Sequence, residues 1–272
     1  MLETFVPISK KLKEHIELFY VFKADKPDTF SHLAFPHINT AISFFNKATI
    51  QREGFHLSVN FNTKALPCIE ILGKYTSPVF VDYKGDFEEI AIVFKPLGVN
   101  HFIEEDLYSV ASNASQSYKN KDWNELAVTL FSNTKNKIEA LELFLLSKLK
   151  TSKVLQEMLK INHLFDPQLF DYSIEEIAEQ SNLNLKTFQR HFTKHFACSP
   201  SEYKRIIRFR NSLNSKLLSK EFKSLTSLSY ENNYCDQSHF IKEFKKLTYL
   251  NPKDFFNKIE LIDDQTIIWE IK

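Results

Sequence analysis

Residues 173–196 constrain this chain most, because they predict two short helices joined by a tight turn. Ser173 and Glu176 have the spacing of a capping box, in which each side chain bonds the backbone amide of the other residue. Asn182 stands in the connection and tolerates a left-handed conformation. Asn184 is a good N-cap for the second helix. The segment predicts a helix-turn-helix, although an ordinary amphipathic helix pair fits the same pattern.

The second of these helices has two distinct faces. Apolar residues recur at helical spacing and predict a buried stripe: Leu185, Phe188, Phe192 and Phe196. Lys186, Gln189 and Arg190 fall on the opposite face. In a helix-turn-helix, the second helix enters the DNA major groove with such a face.

The C-terminal half repeats itself at an offset of 52 residues. The matched pairs are Phe188 with Phe240, Arg190 with Lys242, Phe192 with Phe244, Lys194 with Lys246, Pro200 with Pro252 and Tyr203 with Phe255. The repeat predicts a second helix-turn-helix, joined to the first by a long helix from Ser199 to about Ser219. Such a chain would place two helices in successive major-groove turns, about 34 Å apart.

Charge is distributed unevenly, although the net charge is only +1. Residues 181–258 hold 15 Lys and Arg against 6 Asp and Glu, whereas the remainder holds 20 against 28. A basic region on an acidic remainder is the electrostatic footprint of a nucleic-acid-binding domain joined to another domain.

The first hundred residues predict a β-rich domain, because all 4 glycines of the chain punctuate it. Short β-branched and aromatic runs predict strands at 18–22, 37–45, 55–61, 69–72, 79–83 and 89–94. This number of short strands favours a small barrel or sandwich. Such a barrel either holds a ligand in its mouth or is filled by its own side chains.

Helical periodicity returns after residue 98, with predicted helices at 100–107, 123–132, 136–150 and 153–163. The 136–150 helix has an apolar stripe wide enough to bury on two sides. It packs either within this chain or also against a second copy.

No catalytic or metal motif is recognisable, so the sequence predicts no enzyme, no metal site and no cofactor. The histidines of the first half lack metal-ligand spacing and are interpreted as packing or surface residues: His15, His32, His37, His56 and His101. Three scattered cysteines, a missing signal sequence and apolar runs too short to span a bilayer predict a cytoplasmic protein that does not contact the membrane.

These motifs together resemble the AraC/XylS transcriptional regulators. The matching segments are Ile174-Glu-Glu-Ile-Ala178, Phe188-Gln-Arg-His-Phe192, Ser199-Pro-Ser-Glu-Tyr203, Asp236-Gln-Ser-His-Phe240, Phe244-Lys-Lys-Leu-Thr248 and Asn251-Pro252. The resemblance covers about 172–258, and the first half is more loosely similar to β-barrel sensor domains of one branch of the family. Ala197, Asn233 and Tyr249 stand where the family usually has Gly. Asn accepts a left-handed conformation, whereas forcing Ala or Tyr into it costs about 1 kcal/mol each.

The fold expected from the pattern and the resemblance is α+β. Residues 1–150 should form a β-barrel-like (cupin-like) sensor and dimerisation domain with helices. Residues 151–260 should form an all-α DNA-binding domain with two helix-turn-helix units, and 261–272 a C-terminal tail.

The resemblance and the outward faces together imply the contact residues. Base contacts are expected from Lys186, Gln189, Arg190, Gln237, Ser238, Ile241 and Lys242. Phosphate contacts are expected from Arg205, Arg208, Lys245 and Lys246. Gln pairs bidentately with adenine and Arg with guanine, while Ile contacts a thymine methyl.

The implied function is sequence-specific transcription regulation through double-stranded DNA. RNA polymerase, a small-molecule effector and a second copy of the chain are further candidate partners. The competing interpretation is a small-molecule-binding protein or enzyme whose C-terminal helical domain contacts a protein partner. The repeat and the charge asymmetry argue against it, and salt-dependent binding to duplex DNA would discriminate the two.

Overall fold

The computed structural model describes residues 2–24, 29–132, 134–166, 172–217, 224–258, 260–262 and 267–271. The strands in these ranges are β1 Leu2–Phe5, β2 Ile16–Ala24, β3 Thr29–Ala34, β4 Thr40–Asn46, β5 Ala48–Glu53, β6 His56–Phe61, β7 Cys68–Leu72, β8 Val79–Lys84, β9 Phe87–Phe94, β10 Gln116–Ser117, β11 Glu260–Ile262 and β12 Ile267–Ile271. The helices are α1 Lys10–Lys13, α2 Leu107–Ala111, α3 Lys121–Phe131, α4 Lys137–Lys148, α5 Lys153–His163, α6 Ile174–Gln180, α7 Leu185–Phe196, α8 Pro200–Leu217, α9 Leu225–Glu231, α10 Gln237–Thr248 and α11 Pro252–Lys258. The predicted α+β class is confirmed.

In the described residues the strands form two six-stranded sheets. The first has the order β1-β2-β9-β4-β7-β10 and is antiparallel throughout. The second has the order β11-β12-β3-β8-β6-β5, and its β6 and β8 are parallel. Neither sheet closes on itself or on the other in this part of the chain. The expected barrel is therefore an open sandwich, because closure would need a hydrogen-bonded pair between edge strands.

Strand β9 shows how the first sheet is buried on both faces. Its side chains alternate between the faces, as in any strand. Ile90, Ile92 and Phe94 pack with side chains of α3 and α4 in one apolar cluster. Glu89 and Val93 point the other way and line a cavity between the two sheets.

The chain returns to the N-terminal sandwich at its end. Strands β11 and β12 form a hairpin, and β12 pairs antiparallel with β3, with Trp269 opposite Ala34. The described residues of the segment predicted as a tail, 261–262 and 267–271, lie in these strands, and β3 itself is a strand that the sequence pattern does not predict. The proposed domain boundaries near 150 and 260 stay predictions.

One predicted helix differs from the structure. The helix expected at 100–107 is a 3-10 turn at Gly98–His101 followed by the separate helix α2. Asp106 causes the second start, because its side chain accepts a hydrogen bond from the Ser109 amide and caps α2. The long helix α8 begins as predicted, and its predicted end near 219 lies outside the described residues.

Candidate nucleic-acid interface and sensor cavity

The first helix-turn-helix unit consists of α6 and α7. Ser173 and Glu176 form the predicted capping box: the Ser173 amide donates to Glu176 Oε2 at 2.6 Å, and the Glu176 amide donates to Ser173 Oγ at 3.1 Å. Asn182 in the turn has φ +55°. Asn184 accepts from the Thr187 amide at 2.9 Å and caps α7. Each of these local features was predictable because it depends on neighbours within four residues.

The two faces of α7 are divided as its sequence predicts. Phe188, Phe192 and Phe196 are almost completely buried. The rings of Phe192 and Phe196 stack at 4.0 Å between centroids. On the other face Lys186, Gln189 and Arg190 are exposed together. An aromatic core thus holds the helix while its polar face stays open to a partner.

The second unit, α9 and α10, follows the same plan with a less open surface. Asp236 caps α10 by accepting from the His239 amide at 2.7 Å. Gln237, Ser238 and Lys242 are exposed. Ile241 packs against an apolar cluster, and Gln237 Oε1 accepts from Thr226 Oγ1 at 2.6 Å.

Left-handed backbone occurs at the three positions where this chain has another residue in place of the usual glycine. Ala197 ends α7 with φ +57°, Asn233 lies between α9 and α10 with φ +55°, and Tyr249 ends α10 with φ +61°. The chain therefore keeps the geometry of the three glycine positions, with Asn accepting the left-handed conformation and Ala and Tyr disfavouring it.

The predicted phosphate contacts lie in two different environments. Lys245 is exposed, and Lys246 is exposed while donating to Glu243 Oε1 at 2.8 Å. Arg205 and Arg208 are half-buried instead, and both face α9 and α10. Contacts with DNA for all four stay predictions.

A cavity of about 150 Å³ lies between the two sheets. Most of its wall is apolar, with side chains from both sheets such as Phe45, Leu57 and Val81. At one point of the wall the hydroxyls of Tyr20 and Tyr83 donate to the two oxygens of Glu89, at 2.6 and 2.7 Å. Burial raises the pKa of Glu89, so this carboxyl group sits in a strongly desolvated environment.

Arg210 of α8 also lines this cavity, and the sequence pattern does not single it out. Its Nε donates to the Pro36 carbonyl at 2.6 Å and its Nη2 to the Phe35 carbonyl at 2.8 Å. Burial lowers the pKa of Arg210 to about 10. A residue of the helix between the two units thus reaches the wall of the N-terminal cavity.

His37 also lines this cavity and lies near Arg210. Its Nδ1 accepts from the Asn39 amide at 2.9 Å, so a neutral ring carries its proton on Nε2. Burial, followed by the charges of Arg210 and Lys74, lowers the pKa of His37 well below its usual value. Arg210 and His37 therefore offer hydrogen-bond donors to this end of the cavity.

Both helix-turn-helix units contact the N-terminal sandwich. Asn100 Nδ2 donates to the His195 carbonyl in α7 at 3.0 Å. The ring of Phe35, next to β3, lies 4.9 Å from that of Phe255 in α11. Leu33 and Phe35 belong to the same apolar cluster as Phe209 and Phe244.

Comparison with known proteins gives two family matches. Residues 177–258 match a family described as a helix-turn-helix domain, and residues 4–114 match a domain of unknown function, DUF6597. The first match spans both units and the joining helix. The same residues carry the motifs that resemble the AraC/XylS regulators.

A curated relative of this chain comes from Haemophilus influenzae (strain ATCC 51907 / DSM 11121 / KW20 / Rd) and is called an uncharacterized HTH-type transcriptional regulator. It is 28% identical over 91 residues, which are 34% of this chain and 30% of the relative. The chain thus spans under a third of the length of that relative.

Solved structures of ToxT from Vibrio cholerae are also similar. Wild-type ToxT of strain SCE256 with bound unsaturated fatty acid is 15% identical, with a TM-score of 0.44 over 86% of this chain and 92% of that chain. A second ToxT structure is 15% identical, with a TM-score of 0.44 over 94% and 98%.

The described residues show neither a metal-binding cluster nor a membrane-spanning helix. No group of three or more His, Cys, Asp or Glu in them is arranged to hold a metal ion. None of the described helices is both long and apolar enough to cross a membrane.

Proposed function

We propose that the protein is a sequence-specific DNA-binding transcription regulator that reads two successive major grooves with α7 and α10. The observation that carries the proposal is the exposed face of α7, where Lys186, Gln189 and Arg190 lie opposite a buried aromatic stripe. Arg190 suits guanine and Gln189 suits adenine, because each side chain can form two parallel hydrogen bonds to that base.

The second helix contributes to the same function with fewer direct contacts. Base contacts come from the exposed Ser238 and Lys242, and from the amide nitrogen of Gln237, whose oxygen is bonded to Thr226. The exposed part of Ile241 contacts a thymine methyl. Lys245 and Lys246 supply phosphate contacts. Two further partners are proposed. One is RNA polymerase, and the other is a second copy of the chain, bound through the exposed Leu143 and Leu146 of α4. A regulator of chromosomal DNA works in the cytoplasm.

Selection from a random duplex library by the full chain tests this function. The expected result is one enriched sequence with two half-sites about one helical turn apart, bound with an affinity that falls steeply with salt. Recovery of a protein partner without any salt-dependent duplex binding would favour the competing interpretation instead.

A small amphipathic effector in the intersheet cavity is the second part of the proposal. The apolar wall suits a hydrocarbon body, and the donors of Arg210 and His37 suit an acceptor head group. Thermal-shift assays with carboxylic acids and the matching alcohols test it. Stabilisation by an acid that is lost in Arg210→Gln is expected; equal stabilisation of the variant, or none of the wild type, contradicts it.

A further inference from the structure

Helix α8 contacts the first helix-turn-helix unit through aromatic packing, and the second through aromatic packing and two arginines. Toward the first unit, Tyr203 packs edge-on against Phe192 and Phe196, with centroids 5.4 and 4.9 Å apart. Toward the second unit, Phe209 lies 5.4 Å from Phe244. Arg205 and Arg208, three residues apart and hence on one side of α8, both turn to the second unit.

Arg208 contacts the turn between α9 and α10. Its guanidinium lies 5.2 Å from the centre of the Tyr234 ring, and its Nη1 donates to the Asn233 carbonyl at 3.3 Å. Asn233 is the left-handed residue of that turn, and Tyr234 is buried against Phe240 of α10, at 5.1 Å between centroids. Arg208 thereby contacts the turn that precedes α10.

Arg205 contacts α10 itself. Its Nε lies 3.9 Å from Oε2 of Glu243, a buried residue of that helix. The Nε atoms of both arginines are buried. A phosphate contact needs a guanidinium that faces the DNA, whereas both of these groups contact α10 or the turn before it.

We propose that Arg205 and Arg208 are positioning residues, which fix the second unit on α8 and so set the distance between the two recognition helices. They act through protein contacts, not through phosphate. The proposal rests on the proposed DNA-binding function, because spacing matters only where both helices meet one duplex.

Substitutions that change the charge or the geometry of these side chains separately distinguish a positioning contact from a phosphate contact. Lys keeps the charge of Arg but loses the planar fork that stacks on Tyr234, so Arg208→Lys restores a phosphate contact but not a positioning contact. Glu243→Gln removes a negative charge, which by itself would strengthen DNA binding. Loss of one phosphate contact lowers the slope of log affinity against log salt by about one.

The experiment uses the full chain and a duplex enriched by the wild type from a random library, with binding measured by fluorescence anisotropy over a salt series. Arg208→Ala, Arg208→Lys and Glu243→Gln are expected to bind about tenfold more weakly with an unchanged salt slope. Insertion of one base pair between the half-sites should lower the affinity of the variants by a smaller factor than that of the wild type. Lys245→Ala is the matched control and should lower the slope by about one.

Wild-type affinity of Arg208→Lys, together with a lowered slope for Arg208→Ala, would overturn the proposal in favour of phosphate contact. If Arg208→Ala melts at a much lower temperature, the two conservative variants decide the question. A wild type that binds no duplex at all removes the proposed function itself, and the inference with it.

Discussion

Helices α7 and α10 occupy equivalent places in the repeat, yet they present different surfaces. On α7, Lys186, Gln189 and Arg190 are exposed side by side. On α10, Ile241 is half-buried against an apolar cluster and Gln237 is bonded to Thr226. A shared pattern of aromatics and caps therefore builds two similar scaffolds, while the polar side chains decide how much of each scaffold remains available to DNA.

The two units also differ in what positions them. The first is joined to α8 through Tyr203, an aromatic contact within one apolar cluster. The second is joined to α8 through Phe209, likewise within one apolar cluster, and in addition through Arg205 and Arg208. The comparison favours a first unit that reads bases and a second unit whose position on α8 is fixed by protein contacts.

The largest expected effects come from removing the aromatic centre of each unit. Phe192→Ala and Phe244→Ala should each lower the free energy of unfolding by about 3–5 kcal/mol, because both rings are fully buried. Guanidinium denaturation followed by circular dichroism measures this. A cost below about 1 kcal/mol for either variant would show that its unit is not packed around that ring.

Acid should affect the sandwich more than the two units. Burial lowers the pKa of His15 to about 4 and that of His32 to about 3. The unfolded chain takes up these protons near pH 6.5, so stability is full above that pH and falls as the pH drops toward 4.

The expected loss is on the order of 1.4 kcal/mol per pH unit for the fully buried His32 in that range. Melting temperatures between pH 7 and 4.5 measure it, with His32→Asn as the comparison chain. A melting temperature that rises on acidification would contradict the sign.

Base discrimination should be larger in the first unit. Arg190→Ala is expected to lose about 1–3 kcal/mol on the selected duplex and to relax the preference at one base pair. Lys242→Ala, its counterpart in the repeat, should lose less affinity for the selected duplex and relax the preference at its own base pair to a smaller extent. Equal, sequence-specific losses in both variants would remove the division of roles between the units.

The smallest effects concern the two left-handed helix ends. Tyr249→Gly should stabilise the chain by up to about 1 kcal/mol, since φ +61° is strained for Tyr and the side chain is exposed. Ala197→Gly should gain less, because its methyl group is buried. Thermal melts of both variants test the order, and destabilisation by Tyr249→Gly would show that the ring contributes more than the strain costs.

Much of the DNA-binding half follows from the sequence alone. The caps at Ser173, Asn184 and Asp236, the buried aromatic stripes and the left-handed position at Asn233 depend on residues within a few positions of each other. Short-range hydrogen bonds and the helical period carry that information in the order of the residues. The outward face of α7 could be predicted for the same reason.

The tertiary structure alone decided how these elements are joined. Arg210 reaches the carbonyl of Phe35, 175 residues earlier in the chain, and β12 pairs with β3. Arg208 faces a turn of the second unit although its spacing also suits an exposed position. Such contacts depend on how separate elements dock, and a half-buried arginine has the same local pattern as an exposed one until its neighbours are in place.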